Sequence, residues 1–284
     1  MRCAALAEAW IGLEVGAAVF WGEASLSFAR RRIEALGARL VDRYAPATHA
    51  AVLVCDHYEP AVRGAASAAR DFGLRVIVDD LGTVVEPGFD VVWNPNAYAS
   101  PRLYRGFTGA VLAGADVIAV RADLPTWCPA GASGTAVMLG GSRLHESLVE
   151  GLALLAERAG ADRFAGSGSW VPSGWATIDP ENPWEQIARA DRLIISSGTT
   201  VWEAASVGIP VVLVQIASNQ DLIFKWARDH GVPGVDARPF TGQPDTLSRA
   251  LEHALSQPRR LPHVENGAAN VSRLLRELAE ARRS

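Results

Sequence analysis

The feature that most constrains the fold is a regular alternation of short apolar runs with longer stretches of helical periodicity. Runs rich in β-branched residues, such as 50–56 (AAVLVCD) and 192–196 (RLIIS), are each followed by a segment whose apolar residues recur every three or four positions. Strands that alternate with helices in this way form parallel sheets with helices on both faces. The chain is therefore predicted to be an α/β protein of doubly wound, Rossmann-like architecture.

A proline- and glycine-rich stretch at 121–134 interrupts this alternation and shows little periodicity. Such a stretch indicates a linker, so we predict an N-terminal domain at 1–128 and a C-terminal domain at 134–284. The predicted strands of the first domain lie at 17–22, 50–56, 75–80, 90–94 and 116–120. Two α/β domains of similar size typically bind a ligand in the cleft between them, at the carboxyl ends of their strands.

Composition excludes several classes of partner. The 284 residues carry a formal net charge of -4 without a basic stripe, which argues against a nucleic-acid partner. Cys3, Cys55 and Cys128 are too scattered for a zinc motif or a disulfide framework, and they fit a reducing cytoplasm. No apolar run is long enough to span a bilayer. The sequence thus predicts a cytoplasmic protein with no bound metal, no cofactor and no stable membrane insertion.

The passage at 191–220 carries the strongest chemical signal. A buried strand runs into Ser-Ser-Gly-Thr-Thr, where a helix starts, and free N–H groups at a helix N-terminus form a site for phosphate. Glu203, one turn into the helix, could reach the hydroxyls of a sugar attached to that phosphate. A second loop follows the next strand at the same edge. The predicted nucleotide-binding residues in these two loops are Ser197, Gly198, Thr199, Thr200, Glu203, Asn219 and Gln220.

A structural alternative applies to the same residues. Thr200 and Glu203 have the spacing of a capping box, in which the threonine caps the helix and the glutamate folds back to the cap N–H. The sequence alone leaves both interpretations open. A nicotinamide fingerprint is excluded, because no G-x-G-x-x-G precedes this helix.

The stretch SSGTTVWEAASVGIPVVLVQIASNQ resembles the nucleotide-binding signature of GT-B-type proteins. It is most similar to the UDP-sugar hydrolases of pseudaminic acid biosynthesis and their spore-coat polysaccharide relatives, whose pattern is S-x-G-x-T-x-W-E, then G-x-P, then N-Q. The matching positions are Ser196, Gly198, Thr200, Trp202, Glu203, Gly208, Pro210, Asn219 and Gln220. The passages LVCDHYEP, VIVDDLG and VMLGGS resemble three other strand ends of that family, and the last adds Gly140 and Gly141 to the predicted nucleotide-binding residues.

This resemblance implies a GT-B-like fold of two Rossmann-like domains with a cleft between them. It also implies an enzyme that hydrolyses a UDP-linked diacetamido-trideoxy sugar, with water attacking the anomeric carbon and UDP leaving. The family's base is a histidine in a G-x-G-H-x-x-R-C loop, and MRC matches the end of that loop. The histidine and the family's first strand would then precede Met1, so this chain would lack its base.

Three residues at the end of the 50–56 strand are candidate catalytic groups. His57 could replace the absent base, and Tyr58 could orient the sugar or the water. Asp56 could line the pocket, or it could cap the next helix. Two other functions stay open: a GT-B glycosyltransferase that uses a nucleotide-sugar donor, and a non-catalytic nucleotide-sugar binder.

Overall fold

The computed structural model describes residues 2–21, 27–41, 50–82, 87–139, 144–166 and 170–282. The chain divides into two compact α/β units. Unit 1 comprises Met1–Ala122 and Val264–Ser284, and unit 2 comprises Asp123–His263.

The described strands and helices alternate along most of the chain. The strands are β1 (Val19–Trp21), β2 (Arg39–Val41), β3 (Ala50–Cys55), β4 (Phe72–Val78), β5 (Val91–Asn94), β6 (Ala110–Ala113), β7 (Thr135–Met138), β8 (Phe164–Gly166), β9 (Ala176–Thr177), β10 (Arg192–Ser196), β11 (Val211–Gln215) and β12 (Gly234–Asp236). The helices are α1 (Arg2–Gly12), α2 (Ser27–Ala35), α3 (Pro60–Ala68), α4 (Glu146–Ala159), α5 (Pro183–Ile187), α6 (Thr200–Val207), α7 (Asp221–Asp229), α8 (Pro244–Leu255) and α9 (Ala268–Ala281).

Unit 1 contains a parallel four-stranded sheet of order β3-β4-β5-β6 and a parallel pair, β1-β2. Side chains of β4 alternate between its two faces. Val76 packs in a cluster with residues of α1 and α9, whereas Ile77 packs in a second cluster with Ala66 of α3. Because helices cover both faces, the strands are nearly continuous apolar runs, as is usual for parallel sheets.

The strand predicted at 116–120 is wrong. Ala115–Val117 forms a 3-10 turn, and the carbonyl of Ile118 accepts a hydrogen bond from the amide of Gly267 at 2.7 Å. The backbone of this segment is therefore satisfied by the residues that precede α9 and not by a neighbouring strand. The last strand of the sheet is β6, which pairs with β5.

Unit 2 contains a parallel six-stranded sheet of order β12-β11-β10-β7-β8-β9. The chain moves outward from β7 through β8 to β9 and then resumes with β10 on the other side of β7. The switch point of the sheet therefore lies between β7 and β10, where open α/β sheets bind ligands at the carboxyl ends of their strands. The register pairs Ile195 with Met138 and Ser196 with Val214, so that β7, β10 and β11 end at one edge.

The division into units differs from the predicted domains at the C-terminal end of the chain. The sequence placed residues 264–284 in the second domain, but α9 packs with α1 against the sheet of unit 1. Val271 and Leu275 of α9 are fully buried there. An apolar helical face alone does not specify which sheet it covers, so periodicity could not assign this helix.

Asp90 connects the C-terminal segment to this sheet through ion pairs with arginines of both. Its buried carboxylate accepts hydrogen bonds from Nε and Nη2 of Arg75 at 3.0 and 3.1 Å, and Nη1 of Arg282 lies 2.6 Å from it. Burial alone would raise the pKa of Asp90, but hydrogen bonds from Arg75 and Arg282 and the charge of Arg75 lower it below its usual value.

We expect Asp90→Asn to lower the free energy of unfolding by about 2 kcal/mol at pH 7, because a buried ion pair loses one partner. Since the pKa of Asp90 is lowered by folding, its stabilisation is present above pH ~4 and is lost as the pH falls through the folded-state pKa. The difference between the two proteins should therefore shrink at pH 3. Urea unfolding at both pH values measures it, with exposed Asp116→Asn as the control. Equal stability at pH 7 would contradict the prediction.

None of the helices in the described ranges is long and apolar enough to cross a membrane.

Candidate functional site

In unit 2 the chain leaves the sheet at the end of β10 and turns directly into α6. The amide of Ser197 donates to the carbonyl of Val214 at 3.1 Å, and its hydroxyl donates to the same oxygen at 3.4 Å. Ser197 is fully buried, so its side chain fixes the loop on β11 and does not face solvent. The pairing of β10 with β11 thereby extends one residue and places the start of α6 at the switch point.

The first turn of α6 presents two backbone donors. The amides of Val201 and Trp202 bond within the turn, at 3.0 and 3.1 Å, whereas those of Thr199 and Thr200 donate to no acceptor among the described residues. Thr199 is the N-cap and its side chain makes no capping hydrogen bond. Two free N–H groups at the positive end of a helix dipole are suited to bind a phosphate group.

Gly198 borders open space beside these donors. A Cβ at this position would meet only the Ser196 hydroxyl oxygen, at 4.0 Å, and the glycine is not in the left-handed region. Neither backbone conformation nor packing against described residues therefore requires a glycine here. Its absent side chain leaves the backbone at this position accessible, and the predicted role of Gly198 in ligand binding stays a prediction.

The N-cap of α6 is Thr199, and Thr200 already lies within the helix, so Thr200 is not the cap that the alternative capping-box interpretation requires. The Glu203 carboxylate is buried, and its Oε2 accepts the indole N–H of buried Trp184 at 3.0 Å. The neighbouring Trp202 packs edge-on against Trp226 of α7, with ring centroids 5.0 Å apart. These contacts fix the first turn of α6 to two other helices.

The side chain of Gln220 stabilises the loop that follows β11. The Gln220 side-chain oxygen accepts the amide of Ile216 at 2.9 Å, and the residue is buried. Asn219 lies exposed at the tip of this loop, at the same edge of the sheet as the start of α6. Of the two predicted residues, Asn219 is thus exposed at this edge, whereas Gln220 stabilises the loop. The predicted Gly140 and Gly141 lie outside the described residues.

A buried ionic cluster occupies the carboxyl ends of β3 and β4 in unit 1. Arg2 donates from Nε and Nη2 to the two carboxylate oxygens of Asp56, at 2.9 and 2.6 Å, and from Nη1 to Asp80. Burial disfavours the charge on Arg2, but the two carboxylates outweigh it and raise its pKa. The same pairing outweighs burial at Asp56 and lowers its pKa.

A polar network extends this cluster to the end of β5. The Asn96 side-chain amide donates to Asp80 at 3.1 Å and to Asn94 at 2.7 Å, and the Tyr104 hydroxyl donates to Asp79 at 2.8 Å. Asn94, Asn96 and Tyr104 were not among the residues predicted from the sequence. The available signal was the polar Asn-Pro-Asn at 94–96, where the apolar strand β5 ends, because parallel strands bring their carboxyl ends to one edge.

The structure gives the three predicted catalytic residues different surroundings. Asp56 is neutralised by Arg2 and also accepts a hydrogen bond from the Cys3 thiol at 3.3 Å. Exposed His57 accepts the amide of Glu59 at its Nδ1, at 3.0 Å. The Tyr58 hydroxyl donates to Asp80, while more than half of the residue is exposed. Burial of its hydroxyl end and the charge of Asp80 raise the pKa of Tyr58 to about 12.

A cavity of about 720 Å³ opens at the opposite edge of the unit 2 sheet, at the amino ends of β7, β8 and β10. Its charged lining is mixed, with Arg163, Arg189 and Arg192 beside Asp191 and Glu252. Arg192 donates to the carbonyl of Leu255 at the end of α8, so this arginine complements a helix C-terminus. The cavity is remote from the free amides of α6. Within the described ranges, no cluster of three or more His, Cys, Asp or Glu residues could hold a metal ion.

Comparison with solved structures gives the fold class. The chain is similar to the glycotransferase of kitacinnamycin, at 15% identity over 99% of this chain and 92% of that one, with a TM-score of 0.53. It is similar to the calicheamicin glycosyltransferase, at 13% identity over 99% and 91%, with a TM-score of 0.54. A third match is a UDP-N-acetylglucosamine 2-epimerase from Listeria monocytogenes, at 13% identity over 95% and 90%, with a TM-score of 0.55.

These matches confirm the predicted α/β, GT-B-like fold of two Rossmann-like units. At such low identity the likeness shows the fold alone. No protein-family model matches the sequence, and comparison with curated proteins finds none significantly similar. The resemblance to pseudaminic acid hydrolases therefore stays a prediction.

Proposed function

We propose that the chain is a nucleotide-sugar-dependent glycosyltransferase, in which unit 2 binds the diphosphate of the donor. The observation that carries this proposal is the pair of amides at Thr199 and Thr200, which meet no acceptor in the described part of the chain and lie beside Gly198 at the switch point of the sheet. As the sugar leaves, negative charge develops on the diphosphate, and fixed N–H donors at a helix N-terminus stabilise it. The glycosyltransferases among the structural matches, named above, support transfer as the reaction.

A UDP-sugar hydrolase is the second candidate, and the sequence favours it through the Trp202-Glu203 pair and the trailing Asn219-Gln220. The two candidates share the leaving group and differ in the nucleophile, which is an acceptor hydroxyl in one and water in the other.

Product analysis separates the two reactions. Purified protein is incubated with UDP- and TDP-sugars, alone and with a panel of hydroxyl acceptors, and free nucleotide and glycosylated product are measured by mass spectrometry. Nucleotide release that requires an acceptor and matches its glycosylation supports transfer. Release at the same rate without an acceptor supports hydrolysis. Binding of UDP or TDP without release would identify a nucleotide-sugar binder, and absence of binding would overturn all three.

The nucleophile must also be oriented, and Tyr58 is the group in unit 1 that we assign to this role. Its hydroxyl donates to the Asp80 carboxylate, so its oxygen can accept a hydrogen bond from the nucleophile. With a pKa of about 12, Tyr58 keeps its proton at neutral pH. Asn96 and Arg2 hold the Asp80 carboxylate in place.

His57 is poorly arranged to act as a base. Because Nδ1 accepts the Glu59 amide, the neutral ring carries its proton on Nε2 and has no free lone pair. Asp56 is equally unsuited, since bidentate pairing with Arg2 lowers its pKa and its basicity.

We therefore expect Tyr58→Phe to lower kcat by about 10-fold, the effect of losing one hydrogen bond worth roughly 1.4 kcal/mol, while the Kd for UDP changes less than twofold. The control is His57→Asn, which retains an acceptor for the Glu59 amide and should stay within about threefold of the parent activity. Steady-state kinetics and calorimetric titration measure the two quantities. A larger loss of kcat in His57→Asn than in Tyr58→Phe would contradict this assignment.

A further inference from the structure

The cavity at the amino ends of β7, β8 and β10 brings together three arginines from separate elements. Arg163 directly precedes β8, Arg192 is the first residue of β10, and Arg189 follows α5. The register pairs Thr135 of β7 with Arg192 on one side and with Phe164 on the other. Because adjacent strands lie about 4.8 Å apart, the backbones at positions 163 and 192 are roughly 10 Å apart. Arginines with this spacing on one cavity can reach a single small ligand.

None of the three guanidinium groups forms an ion pair with a residue in the part of the chain that the structure describes. Arg192 is the best fixed of them, since its Nη1 donates to the carbonyl of Leu255 at 3.1 Å. Its buried Nε has no hydrogen-bond acceptor among the described atoms. A guanidinium that is partly withdrawn from water and lacks a counter-ion is costly. An anion in the cavity would offset that cost.

The two carboxylates in the lining are engaged with other groups. Glu252 Oε2 lies 3.6 Å from Nε of Arg158, which is outside the lining. Asp191 accepts the backbone amide of Gly134 at 3.0 Å. Three arginines against two carboxylates give the described lining a positive balance, and the carboxylates do not pair with those arginines. The walls of a concave site focus such a field and attract anions.

The rest of the lining indicates what else the ligand contains. Leu155 and Phe164 contribute buried apolar side chains. The volume of about 720 Å³ falls in the range of small-molecule sites, which are mostly apolar with a few placed polar groups. Guanidinium groups pair with phosphate or carboxylate through two parallel hydrogen bonds. These features together fit an anionic head attached to an apolar body.

We propose that this cavity binds a small metabolite with an apolar body and a doubly charged head, which is either a phosphate monoester or a pair of carboxylates. Arg192 offers a fixed guanidinium, and the exposed side chains of Arg163 and Arg189 adjust to the head. The site does not rest on the proposed function, because the amides of α6 lie at the opposite edge of the sheet. A nucleotide can bind there while this cavity is occupied.

Calorimetric titration with three aryl probes tests the site. Phenyl phosphate carries a phosphate dianion, isophthalate carries two carboxylates, and benzyl alcohol carries the ring without charge. We expect a Kd of about 0.1 mM for one of the two dianions. Binding of benzyl alcohol should be about 100-fold weaker, because it lacks the charge-assisted hydrogen bonds. Tighter binding of phenyl phosphate identifies the head as a phosphate, and tighter binding of isophthalate identifies it as a dicarboxylate.

Two variants locate the bound dianion. Arg163→Gln and Arg189→Gln should each weaken its binding by about 10-fold, since each removes a charge-assisted hydrogen bond. Both residues are exposed, so the melting temperature should stay within about 2 °C of the parent value. The matched control is Arg249→Gln, which removes the same charge from an exposed side chain outside the lining, paired with Asp245 at 2.8 Å. It should change the Kd by less than about twofold.

Three results would overturn the proposal. The first is that neither dianion binds the parent protein. The second is that Arg163→Gln and Arg189→Gln affect binding no more than Arg249→Gln, which would leave only attraction by net charge. The third is that UDP displaces the bound dianion, which would place the probe at the amides of α6. Failure of UDP to bind, with a dianion still bound and sensitive to Arg163 and Arg189, would reject the proposed function and support this site.

Discussion

Gly198→Asp should weaken UDP binding by 100- to 1,000-fold while the protein keeps its melting temperature. The substituted position borders open space and has a backbone conformation that L-residues adopt, so the fold accepts a side chain there. A carboxylate beside the Thr199 and Thr200 amides would stand about 4–5 Å from a bound phosphate. At an effective dielectric constant near 20, two like charges at that separation repel by about 3–4 kcal/mol.

Gly198→Asn is the matched control, because it adds nearly the same volume without the charge. It should cost less than tenfold in the Kd for UDP. A negative charge at a helix N-terminus is favourable for the helix itself, so Gly198→Asp should be at least as stable as Gly198→Asn. Calorimetric titration with UDP and differential scanning calorimetry of both variants measure the two effects. Equal Kd values for the two variants would place the phosphate elsewhere.

The strand β10 and the helix α6 next to this site could be predicted because separate features of the local sequence indicated the same two elements. The apolar run 192–196 is β10 in the structure, and α6 begins at Thr200, within the Ser-Ser-Gly-Thr-Thr segment where a helix start was predicted. An uninterrupted apolar run indicated a strand buried on both faces. Gly208, with φ of 79°, ends α6 in the left-handed conformation that glycine adopts without strain.

Side-chain partners could not be predicted with the same success. The sequence showed Glu203 one turn into a helix but gave no sign that Trp184 would donate to it. Asp56 was a candidate pocket residue, yet its partner Arg2 lies 54 positions away. Such pairings depend on which strand ends the topology brings together, and apolar periodicity does not carry that information.

The chemistry of His57 could not be predicted from the sequence for a different reason. Its residue type and its place after a strand suggested a base, but basicity depends on which ring nitrogen is free. The turn that leads into α3 uses Nδ1 as an acceptor for the Glu59 amide. Local backbone geometry, which the sequence did not reveal, therefore decides the chemistry of this side chain.

Removal of Arg2 should have the largest effect on the stability of unit 1. In Arg2→Met the buried carboxylates of Asp56 and Asp80 lose their shared cation, and breaking a buried ion pair in this way costs about 3–5 kcal/mol. We expect the melting temperature to fall by roughly 10 °C. Exposed Arg276→Met, which loses only a surface pair with Glu280, should change stability by less than about 0.5 kcal/mol.

The pH dependence of this variant distinguishes lost charge compensation from lost packing. With Arg2 present the pKa of Asp56 is lowered, so its contribution to stability falls as the pH drops through that value. Without Arg2, burial dominates and raises the pKa of Asp56, so protonation should recover stability as the pH falls from 7 towards 5. Arg2→Met combined with Asp56→Asn and Asp80→Asn should recover more than half of the loss at pH 7. If packing were responsible, the triple variant would be no more stable than Arg2→Met, and the loss would not depend on pH.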